Sequence, residues 1–382
     1  MRPFALLMKP AGADCNLRCD YCFYLKKGDL YPDTARPRMS DETLRAVLQR
    51  YFKTRQPVYS MVWQGGEPTL MGAAFFRRVV DMQKEVAPAG ARIANAIQTN
   101  ATSIREDLAA HLGRYRFLAG CSIDGPADLH DAHRQTKTGR GSHKKAVKGL
   151  NTLRRHGVPV NGVVLVSAAN VGSALRVYRH LLDKGLRHLQ FIPCVEFDSA
   201  GNPLPFTITG EQWGGFLLSI FEQWYRSHRG SVSIRNFESV MAKMAGFSET
   251  ECRFCSRCDQ YLVVEHNGDV YPCDFFVDRA HLLGNVFTHS FERMRAGEAY
   301  AEFMERKGRV PGACAECRFF RLCMGDCPKF RTGPGDEGVS RLCRGWTRFF
   351  DEAGERLEFL VRSAGFQVRF GASRQRMPRE DL

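Results

Sequence analysis

The chain has 382 residues, 44% hydrophobic and 25% charged, with a formal charge of +14. That length holds a large α/β core and a second, smaller unit, and no run of about 18 apolar residues offers a membrane span. Fourteen cysteines in a chain without an export signal argue for bound metal rather than disulfides, because thiols stay reduced inside the cell.

The opening "MRPFALLMKPAG" has one arginine and a short apolar run. The run is too short for a secretory core; "FALLM" (4–8) reads as a first strand, and a cytoplasmic setting is expected. Next comes "CNLRCDYC" (15–22), with three cysteines in eight residues. Three thiolates on a four-iron cluster leave one iron open to a ligand, as a catalytic zinc keeps one open position. The competing reading is a zinc site with a distant fourth ligand. Ser40 before Asp41 and Glu42 predicts a helix start, and the helix runs over 41–53.

Strands then alternate with helices. "VYSMVW" (58–63), "RIANAIQ" (92–98), "FLAGCSI" (117–123), "VNGVVLV" (160–166) and "HLQFI" (188–192) read as strands. Helices are expected near 73–87, 104–113, 142–156, 173–184 and 211–227. Six successive β-then-α units predict a parallel sheet, and the count suits a partial (β/α)6 barrel over residues 1–230. Glycine-bearing or polar segments follow the strands: the three cysteines, "QGGEP", "TN", "SIDGP", Ser167 and Cys194. Barrel chemistry sits at the C-terminal ends of strands, so one active site assembled from several loops is expected.

From about residue 231 the pattern changes. "LVVEHNGDVYPCDFFV" predicts a hairpin turning at Asn267-Gly268. "CAECRFFRLCMGDCPKF" is short and dense in cysteine, so metal replaces a hydrophobic core there. Nine cysteines lie between Cys252 and Cys343, and a cysteine-rich domain is expected over 231–350. An amphipathic helix over 346–364 closes the fold, and 351–382 is set apart as a C-terminal helix and basic tail. The tail, "RFGASRQRMPRED", reads as solvated. Cys121 and Cys194 stand apart beside strands and read as small buried hydrophobes.

With these motifs in view, C-x3-C-x2-C with Tyr21 before the third cysteine resembles the radical S-adenosylmethionine (SAM) superfamily. The resemblance implies that SAM chelates the open iron of a [4Fe-4S] cluster on Cys15, Cys19 and Cys22 and is split by one electron. "QGGEP" resembles the superfamily's GGE motif, which implies that Gly65, Gly66 and Glu67 lie against SAM. Ser122 and Arg134 match positions that hold its carboxylate and ribose, and a guanidinium suits a carboxylate. The spacing of Cys258, Cys273, Cys314, Cys317, Cys323, Cys327 and Cys343 resembles the seven-cysteine pattern of SPASM domains. An eighth ligand comes from Cys252 or Cys255; the resemblance favours Cys252, six residues before Cys258. It implies two auxiliary [4Fe-4S] clusters, one on Cys252, Cys258, Cys273 and Cys327, the other on Cys314, Cys317, Cys323 and Cys343. A pair of zinc ribbons is the alternative.

"KPAGADCNLRCDYCFYL", "QGGEPTL", "SIDGP", "LQFIPC" and "VVEHNGDVYPCDFFV" together resemble anaerobic sulfatase-maturating enzymes from about Leu7 to Phe350. Two departures are small: "TNA" replaces TNG, and Val195 stands where leucine can occur near SAM. The resemblance implies oxidation of a Cys or Ser in a sulfatase C/S-x-P-x-R motif to Cα-formylglycine. Asp274 matches the general base, and Tyr24 and Gln64 flank the mouth as substrate contacts. The expected partners are an unfolded sulfatase polypeptide and a flavodoxin- or ferredoxin-like electron donor, acting on a monomeric enzyme with no membrane partner. A rival is a different SPASM peptide maturase forming a thioether, epimer or cross-link, which would share every cysteine. The basic charge suggests a second rival, an enzyme acting on RNA. That charge falls to roughly +9 if eleven thiolates bind three clusters with +2 cores, which weakens the case for nucleic acid. A zinc-stapled binding module is a third, and iron content of about 12 atoms per chain separates it from the cluster reading.

Overall fold

The computed structural model describes residues 2–371 apart from 33, 35, 249 and 332–337. Most of the expected basic tail, 372–382, therefore lies outside the described residues. Two compact units are formed, Met1–Val163 with Cys258–Phe303 and Val164–Arg257 with Met304–Leu382.

The strands of the chain, in order, are β1 (Ala5–Lys9), β2 (Leu17–Cys19), β3 (Tyr59–Trp63), β4 (Ile93–Thr99), β5 (Leu118–Ser122), β6 (Arg134–Thr136) and β7 (Val160–Val166). They continue as β8 (His188–Pro193), β9 (Ser233–Ile234), β10 (Tyr261–Glu265), β11 (Asp269–Tyr271) and β12 (Gly284–Asn285). In the first unit the order is β12-β11-β10-β1-β3-β4-β5-β7. From β1 through β3, β4 and β5 to β7, every neighbour is parallel. All six expected barrel strands are present, with helices at Asp41–Lys53, Gly72–Val86, Glu106–Arg114 and His143–Arg155 between those of the first unit.

Local chemistry explains these elements. In Asp41–Lys53 the residues Leu44, Val47, Leu48 and Tyr51 recur at helical spacing and are fully buried; each contributes about 2 kcal/mol of transfer free energy. The Ser40 Oγ accepts the Thr43 N–H at 3.0 Å, capping the helix as expected. The hairpin at Asn267-Gly268 also forms, as β10 and β11.

The sequence did not indicate where that hairpin would dock. β10 joins the main sheet parallel to β1, with Lys9 in register with Glu265. β2 and β6 form a separate two-stranded antiparallel pair, which sets Cys19 opposite Arg134.

In the second unit β9 pairs with β8, and helices run over Ala174–Asp183, Gly210–Ser227, Arg235–Ala245 and Cys343–Ser363. Thr209 and Gln212 close a capping box on Gly210–Ser227. The helix Arg235–Ala245 was not expected from the sequence; it ends at Gly246 with φ +76°. The closing helix begins three residues earlier than expected, so Cys343 is its first residue. Gly345 packs it closely on Gly210–Ser227: a Cβ there would stand 2.2 Å from the Gly210 carbonyl oxygen. Among the described residues no helix is long and apolar enough to cross a membrane.

Candidate active site

The three-cysteine loop leaves the C-terminal end of β1. Its turns are tight: Gly12 N–H donates to the Lys9 carbonyl at 3.0 Å and Cys22 N–H to the Cys19 carbonyl at 3.1 Å. Cys15, Cys19 and Cys22 are partly exposed. Burial first, then mutual repulsion and nearby carboxylates, pushes the thiols of Cys15 and Cys19 up to about 12. Two donors point at the Cys15 sulfur, the Leu17 N–H at 3.4 Å and the Asn100 amide at 3.7 Å. Without a metal these thiols keep their protons, and a bound metal would have to displace them, with the two donors supporting the Cys15 thiolate so formed. Among the described residues no three His, Cys, Asp or Glu side chains converge tightly enough to hold a single ion. In a four-iron cluster each cysteine ligates a different iron, so its ligands stand farther apart, and the three thiols lie within electrostatic reach of one another.

The GGE segment follows β3. Gly66 and Glu67 donate their N–H groups to the carbonyls of Gly12 and Asp14, both at 2.8 Å, binding this loop to the cysteine loop. A Cβ on Gly66 would stand 2.0 Å from the Asp14 oxygen. Glycine is therefore required by loop-on-loop contact, in addition to any approach to SAM. Glu67 of the same motif is buried. Its carboxylate is 1% exposed and accepts from Thr69 N–H at 3.0 Å, Thr69 Oγ1 at 2.6 Å, Thr99 Oγ1 at 2.7 Å and Asn100 N–H at 2.8 Å. It is turned inward and holds the Asn100 backbone.

On the far side of the same loop, the Tyr21 hydroxyl donates to Asp124, and Arg134 donates to both Asp124 oxygens at 2.8 and 3.3 Å. The Arg134 guanidinium lies 5.5 Å from the Tyr21 ring centre. Burial pushes the Asp124 carboxyl up, and Arg134 more than reverses this, holding it below the usual carboxylate range. Two of the five guanidinium N–H groups are used on Asp124. Behind the pair, Asp124 N–H donates to His130 Nδ1 at 3.2 Å, His130 Nε2 meets Ser142 Oγ at 3.0 Å, and Ser142 donates to the Arg134 carbonyl at 2.7 Å. Burial brings His130 down to about 4, so the ring is neutral with its proton on Nε2. Ser122 ends β5 and accepts the Gln98 amide at 3.1 Å.

Asp274 follows Cys273 and opens the short turn Asp274–Phe276. Gln64, just beyond β3, donates to its Oδ2 at 3.4 Å, and the Lys9 ammonium stands 3.9 Å from the same oxygen. Tyr24 donates its hydroxyl to Glu265, and its ring lies 4.2 Å beneath the Lys9 ammonium. The first unit thus brings together the three cysteines, the GGE loop, Ser122, Arg134, Tyr24, Gln64, Cys273 and Asp274, and it also contains Cys258. Lys9, His130 and Glu265 were not singled out in the sequence, and Asn100 and Asp124 were indicated only as members of the "TN" and "SIDGP" segments. Lys9 and Glu265 share a signal, a charged residue ending an apolar strand run, as in "LLMK" and "LVVE".

The second unit holds Val195, 1% exposed just after β8, and all the remaining cysteines except Cys121. Cys314, Cys317, Cys323 and Cys343 line one cavity of about 60 Å³, walled by Trp346 and Phe350. Burial pushes Cys323 up to about 12 and raises Cys314 and Cys343. Cys252 and Cys327 both lie within electrostatic reach of Arg253, whereas the Cys255 sulfur faces the Glu251 carbonyl at 3.8 Å. Cys121 and Cys194 are buried, at 0% and 3% exposure, as expected.

Comparison with known proteins agrees with this geometry. Residues 10–179 match the Radical SAM superfamily and 240–318 an iron-sulfur cluster-binding domain, SPASM. A serine-type anaerobic sulfatase-maturating enzyme of Bacteroides thetaiotaomicron is 33% identical over 94% of this chain and 91% of its own. A cysteine-type enzyme of that name from Clostridium perfringens is 31% identical over 94% and 98%. The solved structure of native anSMEcpe with bound AdoMet and Cp18Cys peptide superimposes with a TM-score of 0.88 at 29% identity, over 95% of this chain and 100% of that one. The fold is thus the radical SAM partial barrel with a C-terminal SPASM domain, and the chain belongs to the anaerobic sulfatase-maturating enzymes.

Proposed function

We propose that this enzyme oxidises the Cys or Ser of a sulfatase C/S-x-P-x-R motif to Cα-formylglycine. The observation that carries the reading is Asp274, a partly exposed carboxylate held by Gln64 and Lys9 in the unit that bears Cys15, Cys19 and Cys22. When bound, SAM and its cluster supply a 5′-deoxyadenosyl radical that removes a hydrogen atom from the substrate Cβ, and an auxiliary cluster takes up the second electron. The side chain then has one proton left to lose, from its hydroxyl or thiol, and Asp274 receives it. For Ser the product is the aldehyde directly. For Cys it is a thioaldehyde, which water converts to the aldehyde with release of hydrogen sulfide.

Ser122, Arg134, the backbone of Gly65 and Gly66, Tyr21 and Val195 are the proposed SAM contacts. Glu67 supports them through Asn100. Cys15, Cys19 and Cys22 are the proposed ligands of the SAM-binding cluster. One auxiliary cluster is assigned to Cys314, Cys317, Cys323 and Cys343, which the shared cavity supports. The other is assigned to Cys252, Cys258, Cys273 and Cys327 on the resemblance; the orientation of the Cys255 sulfur supports Cys252 over Cys255. Functionally, residues 1–230 are assigned to the radical SAM part, 231–350 to the auxiliary clusters and 351–382 to the closing segment. The substrate is an unfolded or nascent sulfatase in the cytoplasm, the reductant a flavodoxin or ferredoxin, and the enzyme a monomer.

The test is anaerobic incubation of reduced, reconstituted enzyme with SAM and peptides carrying the motif in Cys and Ser versions. A mass spectrum with aldehyde on at least one is expected, together with 5′-deoxyadenosine. Deoxyadenosine without aldehyde on either would overturn the proposal. Asp274→Asn should form 5′-deoxyadenosine while losing at least about a hundredfold in aldehyde.

A further inference from the structure

Lys9 is the last residue of β1 and is 1% exposed. Removing an ammonium from water is costly unless charge and hydrogen bonds replace the solvent, so its surroundings show what it serves. Two carboxylates are near. Glu265 is its register partner on β10, but that carboxylate already accepts the Tyr24 hydroxyl on one oxygen and faces His266 Nδ1 at 3.3 Å on the other. The ammonium instead reaches the Oδ2 of Asp274 at 3.9 Å. Burial pulls Lys9 below the usual lysine range, and the charges of Asp274 and Glu265 oppose that.

The side chain is fixed along its length. A Cβ on Gly65 would stand 3.1 Å from the Lys9 Cδ, so the glycine lies directly on the aliphatic stem. The Tyr24 ring closes the other side at 4.2 Å from Nζ. Asp274 sits on a three-residue turn and, among the described residues, accepts only long hydrogen bonds. They come from Gln64 to Oδ2 at 3.4 Å and from the Cys273 thiol to Oδ1 at 3.7 Å, so the charge of Lys9 adds to a loose set of restraints. A proton acceptor needs a defined direction, since proton transfer falls off steeply once the atoms leave hydrogen-bond reach.

We propose that Lys9 is a positioning residue for Asp274, its buried ammonium at the end of β1 drawing Oδ2 toward it by charge attraction at 3.9 Å so that the carboxylate faces the substrate side chain. The proposal rests on Asp274 as the proton acceptor. Lys9 touches neither substrate nor SAM in this scheme, so its loss should spare SAM cleavage and impair only the steps after hydrogen abstraction.

The experiment compares reconstituted wild type, Lys9→Met, Lys9→Met/Glu265→Gln and Asp274→Asn by iron content, thermal midpoint, 5′-deoxyadenosine and aldehyde. Lys9→Met should keep about 12 iron atoms and form 5′-deoxyadenosine within about twofold of wild type, while aldehyde per deoxyadenosine falls roughly tenfold or more. The peptide KM should change by less than about twofold, placing the loss in kcat. The double variant removes the partner carboxylate charge and should keep the deficit. Recovery of the aldehyde ratio in the double variant would overturn the proposal, because Lys9 would then only neutralise Glu265. An unchanged ratio in Lys9→Met would overturn it too, as would loss of iron or of the folded state in both variants. Full aldehyde yield from Asp274→Asn would remove the proton-acceptor reading itself, an outcome separate from failure of the Lys9 variants alone.

Discussion

Glu67 and His130 are buried polar side chains that each hold a neighbouring segment by hydrogen bonds to its backbone. All four groups on the Glu67 carboxylate are donors, so an ionised, acceptor-only side chain satisfies them where an amide would oppose one. His130 is the complementary case, a neutral ring joining the Asp124 backbone to Ser142. Its pKa falls from 6.5 to about 4 on folding. Between those values the unfolded chain binds a proton that the native protein does not, so this contribution is full above pH 6.5 and is lost as pH falls toward 4. From pH 7 to 5.5 wild type should lose about 1 kcal/mol more stability than His130→Gln, which has no such group. Parallel pH profiles of anaerobic thermal melting for the two proteins would contradict this.

Among the secondary-structure elements, the contact of helix Cys343–Ser363 with Gly210–Ser227 carries a direct consequence for iron. The helix begins at a proposed cluster ligand and is seated on its neighbour two residues later, where Gly345 meets the Gly210 carbonyl. Gly345→Ala would drive a methyl into backbone that cannot rotate away, costing about 2 kcal/mol. The displaced helix start should carry Cys343 off its site. We expect iron to fall from about 12 toward about 8 atoms per chain, with the spectroscopic signal of SAM bound to the three-cysteine cluster retained. Full iron content in Gly345→Ala would refute the coupling.

For the whole molecule, the two units are stabilised by different means. The first has a continuous sheet with helices packed on it. In the second, the segment around Cys314, Cys317, Cys323 and Cys343 holds four-residue helical turns, Gly312–Ala315 and Phe320–Cys323, too short to be stable alone. Their side chains surround a cavity of about 60 Å³ instead of filling a core, so bound iron contributes folding free energy directly. Chelating the iron should therefore make the stretch between Met304 and Cys343 the first site of limited proteolysis, while Met1–Val163 resists. Simultaneous cleavage of both regions would argue against it.

Much of this was legible without coordinates. Apolar periodicity marked the six strands and the helices between them, and the hairpin turned where Asn267-Gly268 favours it. The cysteine spacings and the aspartate after Cys273 pointed to the chemistry, because ligand spacing and motif order are properties of the chain itself. Three relations came only from tertiary structure: Lys9 beside Glu265 and Asp274, Arg134 locked on Asp124, and Glu67 turned inward. The Tyr24–Glu265 bond joins residues 241 apart, and the Lys9 register depends on β10 joining the edge of β1. A one-residue slip there would turn every side chain of the strand to the opposite face. Local patterning determines what each segment becomes, while strand order and register decide which buried charges meet.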